Sequence, residues 1–584
     1  MTYALVLAAK ADAGLYGQLA ALGVRGVAAA DRTGPGLLTV AAAARAAGDR
    51  VLICVGDDDA VPEEVLARLL EAGGTVAVTG MQARTVQAAP SRREPPRAWA
   101  DGGAIVVDTP DLDSLAAAAE SLAATQPAPA AVGALIAELA RRGVTVRILD
   151  AGPDDDGAVA QLIVDPAARD IARWAAWRKL SPGALYGISL GLGLLSAVWF
   201  SELAIRSKAL AIVALFGSFT VSRAGSQLAA SGRDGRIRPA AAWLGAAAGL
   251  LTEFAVYAAL AVSSGLVSLT AAGGAGYPAG LDGVFGGELR NWLPASWLGT
   301  GQAGVWRLAV AALLLLGVRW LADLCYEGTL PAPGKIFPRS AKSILEQVIT
   351  LPTGERYVVI AVTAVFFGPR MTFLVLLAWG VVAAGYAWAA HLARSAGTAR
   401  SGGGLSGYRG DGILARGLGG LARGMLPPLP PLFVGLLVTC VLVWLGLANL
   451  PGILVLTPVV AMLPAALGAR HPHRGRLDWL VPPLLLVGEG VYLAALGFSC
   501  HVSPLLIFAL LAGVIMRHAD LGYRAMFGRA LRADTFGFGW EGRMLLAGLA
   551  AVAGIVPLAY ALLSGYLWLL FCWDFLSGWL KYTR

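Results

Sequence analysis

From about residue 183 to the C-terminus the chain repeats one pattern, an apolar run followed by a short polar or basic stretch. Runs of roughly 17–25 apolar residues match the length needed to cross hydrocarbon. They predict helices near 183–203, 209–225, 240–263, 304–325, 355–368, 372–393, 430–448, 451–469, 479–498, 502–516, 543–558 and 559–579. Pro557 interrupts the final apolar stretch, so its last two segments read either as two helices or as one long kinked helix. The first 165 residues alternate differently. Short β-like runs (Tyr3–Ala8, Val51–Val55, Thr75–Val78, Ala104–Val107, Thr145–Leu149) are separated by segments of helical period such as Pro62–Ala72. Such alternation predicts an α/β domain with a mostly parallel sheet.

The expected organisation has four parts. Residues 1–165 form a cytoplasmic α/β domain, and 166–394 a six-helix membrane block. Residues 395–429 are a flexible linker whose Gly/Ser-rich core runs from 395 to 414. Residues 430–584 form a second membrane block of about six helices. The chain opens on a strand-like run with no basic n-region, which is unlike a signal peptide.

Composition supports the membrane reading. The chain has 57% hydrophobic and 14% charged residues, against about 25% charged in ordinary soluble proteins. Mean hydropathy is +0.66. The net charge of +8 is accounted for by basic cytoplasmic loops, so nucleic acid is not an expected partner. Arg233, Arg236 and Arg238 fall in one such loop, and Arg517, Arg524, Arg529 and Arg532 in another. Both termini are then expected inside, in the cell membrane, although Arg206, Lys208 and Arg370 map to the outer side. The five cysteines (54, 325, 440, 500, 572) form no CxxC pair, which argues against a disulfide framework or a zinc site.

Ile171–Gly191 (IARWAAWRKLSPGALYGISLG), with Asp165-Pro166 and Arg169 before it, resembles the entry to the first membrane helix of CDP-alcohol phosphotransferases. That family's signature is D-x-x-D-G-x-x-A-R, a spacer, then G-x-x-x-D-x-x-x-D. The stretch most similar to it runs Ser222-Arg223-Ala224-Gly225-Ser226-Gln227-Leu228-Ala229-Ala230, and continues through Gly245 and Gly249. Leu351–Tyr386 and Phe536–Ala547 (FGFGWEGRMLLA) look like later regions of fused relatives. In those relatives a sugar-nucleotidyltransferase-like domain comes first, and residues 1–165 are similar to it in pattern.

The resemblance implies the fold and argues against the chemistry. In active members four aspartates hold a divalent cation against the CDP pyrophosphate, and the last acts as base on the alcohol. Ser222, Gly225, Gly245 and Gly249 stand at those positions here, Ser226 replaces the glycine and Ala230 the arginine. One hydroxyl and three glycines cannot supply the oxygen field that Mg²⁺ or Mn²⁺ requires, and glycine offers no base. No catalytic residue, metal ligand or cofactor is therefore expected, and a pseudoenzyme partnering an active paralogue or a second copy is the leading reading. An active transferase with an atypical site, using Mg²⁺ or Mn²⁺, is the alternative. A transporter or lipid-handling protein working through the second block is the other.

Single residues carry two readings each. Arg223 is either a headgroup-level topology determinant or a lipid-phosphate contact, and Gln227 a residual polar contact. Glu253 and Glu489 lie inside apolar runs and must face protein or water. Each is either a structural partner or a surviving functional group. Arg319 and Asp323, four apart, are expected to pair. Asp57-Asp58-Asp59 is either a solvated turn capping the helix at Pro62 or a metal site. No D-x-x-D-G pair with a downstream Asp pair occurs elsewhere in the chain, and Asp411 in the flexible linker lacks the partner carboxylates of such a motif.

Overall fold

The computed structural model describes six strands, one helix and a few single positions between residues 2 and 148. It then describes residues 157, 159–231, 237–272, 302–328, 349–397, 409–421, 425–448, 450, 452–471, 475, 477–526 and 537–583. The Asp57–Asp59 run and the Pro62–Ala72 segment lie outside the described residues. The chain divides into two compact units, one mainly residues 1–154 and the other most of the remainder.

In the first unit six strands form one sheet: β1 (Thr2–Leu7), β2 (Val27–Ala30), β3 (Arg50–Val55), β4 (Val76–Thr79), β5 (Gly103–Val107) and β6 (Arg147–Ile148), in the order β2-β1-β3-β5-β4-β6. β1 runs parallel to both β2 and β3, with Leu5 opposite Ile53. β5 lies antiparallel between β3 and β4, so Ile105 faces both Ile53 and Ala77. Val51, Leu52 and Ile53 are consecutive and all buried. Successive side chains point to opposite faces, so both faces of β3 are covered. Leu115, Ala119 and Leu122 of α1 (Leu112–Thr125) close one side over Val51, Ile53, Ile105 and Val107.

The second unit is helical. α2 (Asp165–Trp177) leads to α3 (Pro182–Phe200), α4 (Ile205–Ser231), α5 (Ile237–Ala272), α6 (Gln302–Gly328), α7 (Thr353–Phe366) and α8 (Gly368–Gly397). The short α9 (Ile413–Gly419) precedes α10 (Leu429–Ala448), α11 (Ile453–Leu467), α12 (Val481–Ser499), α13 (Pro504–Met526), α14 (Gly539–Val552) and α15 (Val556–Thr583). The start of α3 shows how local chemistry sets a boundary. Ser181 caps the helix by accepting the Ala184 N–H, and Pro182 occupies the first turn, where its missing N–H costs nothing. The final apolar stretch is two helices. They separate at Gly554, whose φ of +71° suits glycine, and Pro557 starts α15 rather than kinking it.

Eleven of the twelve apolar segments expected from sequence each fall on one helix to within a few residues, while 543–558 runs across the break at Gly554 into α15. Among the described residues nine helices are long and apolar enough to cross a membrane. α7, α11 and α14 have 14, 15 and 14 residues. At about 1.5 Å per residue they reach only ~21 Å, short of the ~30 Å hydrocarbon layer. The chain is a multi-pass integral membrane protein in contact with the lipid bilayer.

Burial identifies the centre. Most of the apolar stretch of α12 and of α13 is buried, whereas α8 and α10 leave most of theirs exposed or half-buried. α6 packs on α12 and α13, and one apolar core runs through both membrane blocks. A Cβ at Gly317 of α6 would meet Ile515 of α13, and one at Gly490 of α12 would meet Leu314 of α6. Such small residues let helices approach closely in lipid, where packing replaces the hydrophobic drive.

Candidate functional site

The signature-like positions lie on two helices that meet α3. Ser222, Gly225, Ser226 and Ala230 follow along α4, while Gly245, Gly249 and Glu253 recur every fourth residue on one face of α5. α3 and α4 are joined by reciprocal hydrogen bonds. Ser189 Oγ donates to the Ser218 carbonyl at 2.9 Å, and Ser218 Oγ to the Ser189 carbonyl at 2.7 Å. This pairing brings Tyr186, one turn earlier on α3, between α4 and α5. A Cβ on Gly225 would lie 2.9 Å from the Tyr186 ring, and one on Gly245 would lie 2.8 Å from it. Gly249 has open space instead. The volume that acidic side chains at 225 and 245 would need is therefore filled by a buried tyrosine.

The polar residues around this point are committed to one another. Arg223 donates through Nε and Nη2 to Asp165 Oδ1 at 3.2 and 3.1 Å, tying α4 to the first turn of α2. Ser226 Oγ donates to the Arg223 carbonyl at 2.8 Å and is exposed. Gln227 is half-buried on the same helix. Glu253 does not join the group. It is buried two turns beyond Gly245, where Oε1 accepts from Arg356 Nη2 of α7 at 2.6 Å. Arg356 also donates to the Leu351 carbonyl and to Thr353 Oγ1. Next to it, Glu355 accepts the Val159 N–H at 3.2 Å.

The second block holds a buried charged centre. Glu489 of α12 is fully buried, and Arg543 of α14 grips both its oxygens, Nε to Oε1 at 2.5 Å and Nη2 to Oε2 at 2.9 Å. Nη1 of Arg543 donates to the Gly537 carbonyl at 2.8 Å. His518 of α13 places Nε2 3.2 Å from Glu489 Oε2. Three helices thus converge on one carboxylate. A small cavity of about 20 Å³, room for about one water, adjoins it between α10, α11, α12 and α14.

A strap braces the start of α14. Residues 409–412 are buried, so this stretch of the expected flexible linker is packed structure. Asp411 accepts from Trp540 Nε1 at 2.9 Å and pairs with Arg409 at 2.9 Å. Arg409 also donates to the Ala465 carbonyl at 2.9 Å. Glu541 accepts the Ala415 N–H at 3.1 Å. The turn into α14 needs glycine at 539, where φ is +65° and a Cβ would strike the Gly412 backbone.

Arg319 and Asp323 approach at 3.9 Å, but the nearer partner of Asp323 is His391 Nε2 at 3.0 Å. His391 stacks on Tyr326 at 3.8 Å and meets Trp479 edge-on. Among the described residues, no three His, Cys, Asp or Glu side chains gather as a metal site.

Sequence reading singled out Glu489 and missed its partners. Arg543 carried a signal, a charge that with Glu541 stands at the mouth of an apolar run. Tyr186 carried none by itself. Its trace was the loss of volume at 225 and 245, which a packed interior must refill.

Residues 399–580 match a family of unknown function, DUF5941. That range takes in the strap, the Glu489 centre and the cavity. No curated protein sequence matches the chain.

Proposed function

We propose that this protein is a catalytically silent, membrane-embedded relative of the CDP-alcohol phosphotransferases. In this reading it carries an N-terminal nucleotidyltransferase-like domain and acts as partner or regulator of an active phosphotransferase in membrane lipid metabolism. One observation carries it: the Tyr186 ring stands where side chains at Gly225 and Gly245 would project. An active cleft of this type would need carboxylates there, converging on a divalent cation. The four signature positions offer one hydroxyl and an aromatic wall, so Mg²⁺ or Mn²⁺ does not fit and no metal-dependent step is assigned. Arg223, on the same helix, is paired with Asp165. The sheet order supports the N-terminal half of the reading. Its direction reverses between β1 and β3, and open α/β sheets take ligands beyond the carboxyl ends of strands at such a point.

The test is CMP release from CDP-diacylglycerol and a panel of CDP-alcohols by the purified full chain in mild detergent, with Mg²⁺ or Mn²⁺. No release from a well-folded sample is expected. Metal-dependent release that co-purifies with the protein overturns the reading. Capture of a phosphotransferase paralogue, or of a second copy, identifies the partner.

A further inference from the structure

The second membrane block follows the first helix for helix, α9–α15 against α2–α8. Each block opens with a helix too short to span, α2 or α9. Each closes with a 14-residue helix and a long one, α7 and α8 or α14 and α15. The 14-residue helices share their boundaries. Each follows a residue other than glycine at positive φ, Leu351 at +45° and Phe538 at +62°. Each hands over at a glycine of positive φ, Gly368 or Gly554. Near the start of each an arginine binds a glutamate midway along the corresponding helix, Arg356 to Glu253 of α5 and Arg543 to Glu489 of α12. Beside that arginine a second glutamate accepts a backbone N–H from the segment that opens the same block. Glu355 does so from Val159, and Glu541 from Ala415.

The sequence carries the same repeat. Trp243, Glu253 and Ser263 recur without a gap as Trp479, Glu489 and Ser499. Between them Leu244, Leu250, Ala258, Ala259 and Leu260 recur as Leu480, Leu486, Ala494, Ala495 and Leu496. α6 carries Ala-Asp-Leu-Cys-Tyr at 322–326, and α13 Ala-Asp-Leu-Gly-Tyr at 519–523. In both, the aspartate joins a tie to the last helix of its block. Asp323 meets His391 of α8, and Asp520 shares Arg517 with Asp574 of α15. Weak internal sequence symmetry of this kind marks duplicated membrane folds.

The contacts between the blocks are reciprocal. Trp243 of α5 meets Tyr523 of α13 with ring centroids 5.1 Å apart. Its counterpart Trp479, in the turn that opens α12, meets Tyr326 of α6 at 5.6 Å. α6 packs on α13, and the flanking pairs are α6 with α12 and α13 with α5. A contact of one residue on another, answered by the same contact with the roles exchanged, defines a two-fold interface between like surfaces.

We propose that α9–α15 are a second copy of the fold of α2–α8, paired with it about a pseudo-two-fold axis between α6 and α13. The second block takes the place that a partner chain of the same fold would occupy. The face formed by α5 and α6 is closed within one chain, so a partner from outside must dock on another face. The pairing does not depend on the Tyr186 argument. CMP release would overturn the silent-enzyme reading and leave the repeat standing.

The experiment uses the full chain in phosphatidylcholine nanodiscs. The photoreactive p-benzoylphenylalanine replaces Trp243 in one variant and Trp479 in another. After irradiation, cross-linked peptides are mapped by mass spectrometry and the product is sized on a denaturing gel. The probe at 243 is expected to capture α13 around Tyr523, and the probe at 479 to capture α6 around Tyr326. Both products should run at the mass of one chain. If either variant does not fold, the probe moves to Tyr523 or Tyr326 and the same contact is read from its other side. Cross-links at the mass of two chains would show that a separate copy fills the face. That result, or only one of the two reciprocal contacts in folded variants, overturns the pairing.

Discussion

Arg543 holds Glu489 by both carboxylate oxygens, and neither residue reaches water. Removing one partner of a buried pair leaves the other charge uncompensated and costs about 3–5 kcal/mol, whereas removing both costs much less. Glu489→Leu and Arg543→Met are each expected to lower the thermal midpoint in detergent sharply. The double variant should recover much of the loss. Additive losses would mean that the two charges are solvated.

Tyr186 makes the glycines unequal. Gly225→Ala and Gly245→Ala press a methyl into its ring and should destabilise by about 1–3 kcal/mol. Gly249→Ala meets nothing and should be neutral, or stabilising by up to ~1 kcal/mol through helix propensity. Combining Gly245→Ala with Tyr186→Ala should remove the penalty. A double-mutant cycle on unfolding midpoints measures the coupling, and zero coupling would place the ring elsewhere.

The strap rests on Asp411. Asp411→Ala leaves Arg409 buried without its carboxylate and Trp540 Nε1 without its acceptor. A loss of about 3 kcal/mol is expected. Limited proteolysis of the full chain should then cut near residues 409–421 faster than in the parent. An unchanged cleavage rate would show that the strap is held by other contacts.

Glu541 gives a pH dependence. Burial pushes its carboxyl above the usual carboxylate range, and the Asp411 charge pushes the same way, against backbone N–H groups that draw it down. A carboxyl raised by folding contributes its stability in full below the unfolded pKa and loses it as pH rises through the folded value. Glu541→Gln keeps an acceptor for the Ala415 N–H and removes the titration. As pH rises above about 4, through the range where the raised carboxyl ionises, the variant should lose less stability than the parent, read as the change in unfolding midpoint. A parallel pH profile would show that Glu541 does not titrate in that window.

The helices were legible because lipid imposes a length and a composition that survive in one dimension. Segments such as Leu429–Ala448 and Gln302–Gly328 announce themselves. Three of the expected crossings are short because sequence hydropathy carries no depth. The apolar run of α7 is opened by Glu355 and Arg356 and stops at Phe366, and Gly368, whose φ is +82°, turns the chain into α8. The polar centre was legible only in part. Glu489 stood out as a charge in an apolar run, while Asp411 completes no carboxylate motif and sits in a Gly/Ser-rich stretch. Its partner Trp540 lies 129 residues away, and no local pattern connects them. The two blocks were read as separate because a loop divides them in sequence. Their shared core depends on which faces of α6, α12 and α13 are complementary, and periodicity does not encode that.

The packing of α6 also sets an order of events at the ribosome. α6 presents a notch at Gly317 and a knob at Leu314, and their complements, Ile515 and Gly490, belong to helices made much later. Synthesis at roughly 5–20 residues per second leaves that surface facing lipid, or an insertase, for ~10–40 seconds before α12 and α13 arrive. The first block must therefore wait in the bilayer half-assembled, and the second block finishes a structure already inserted.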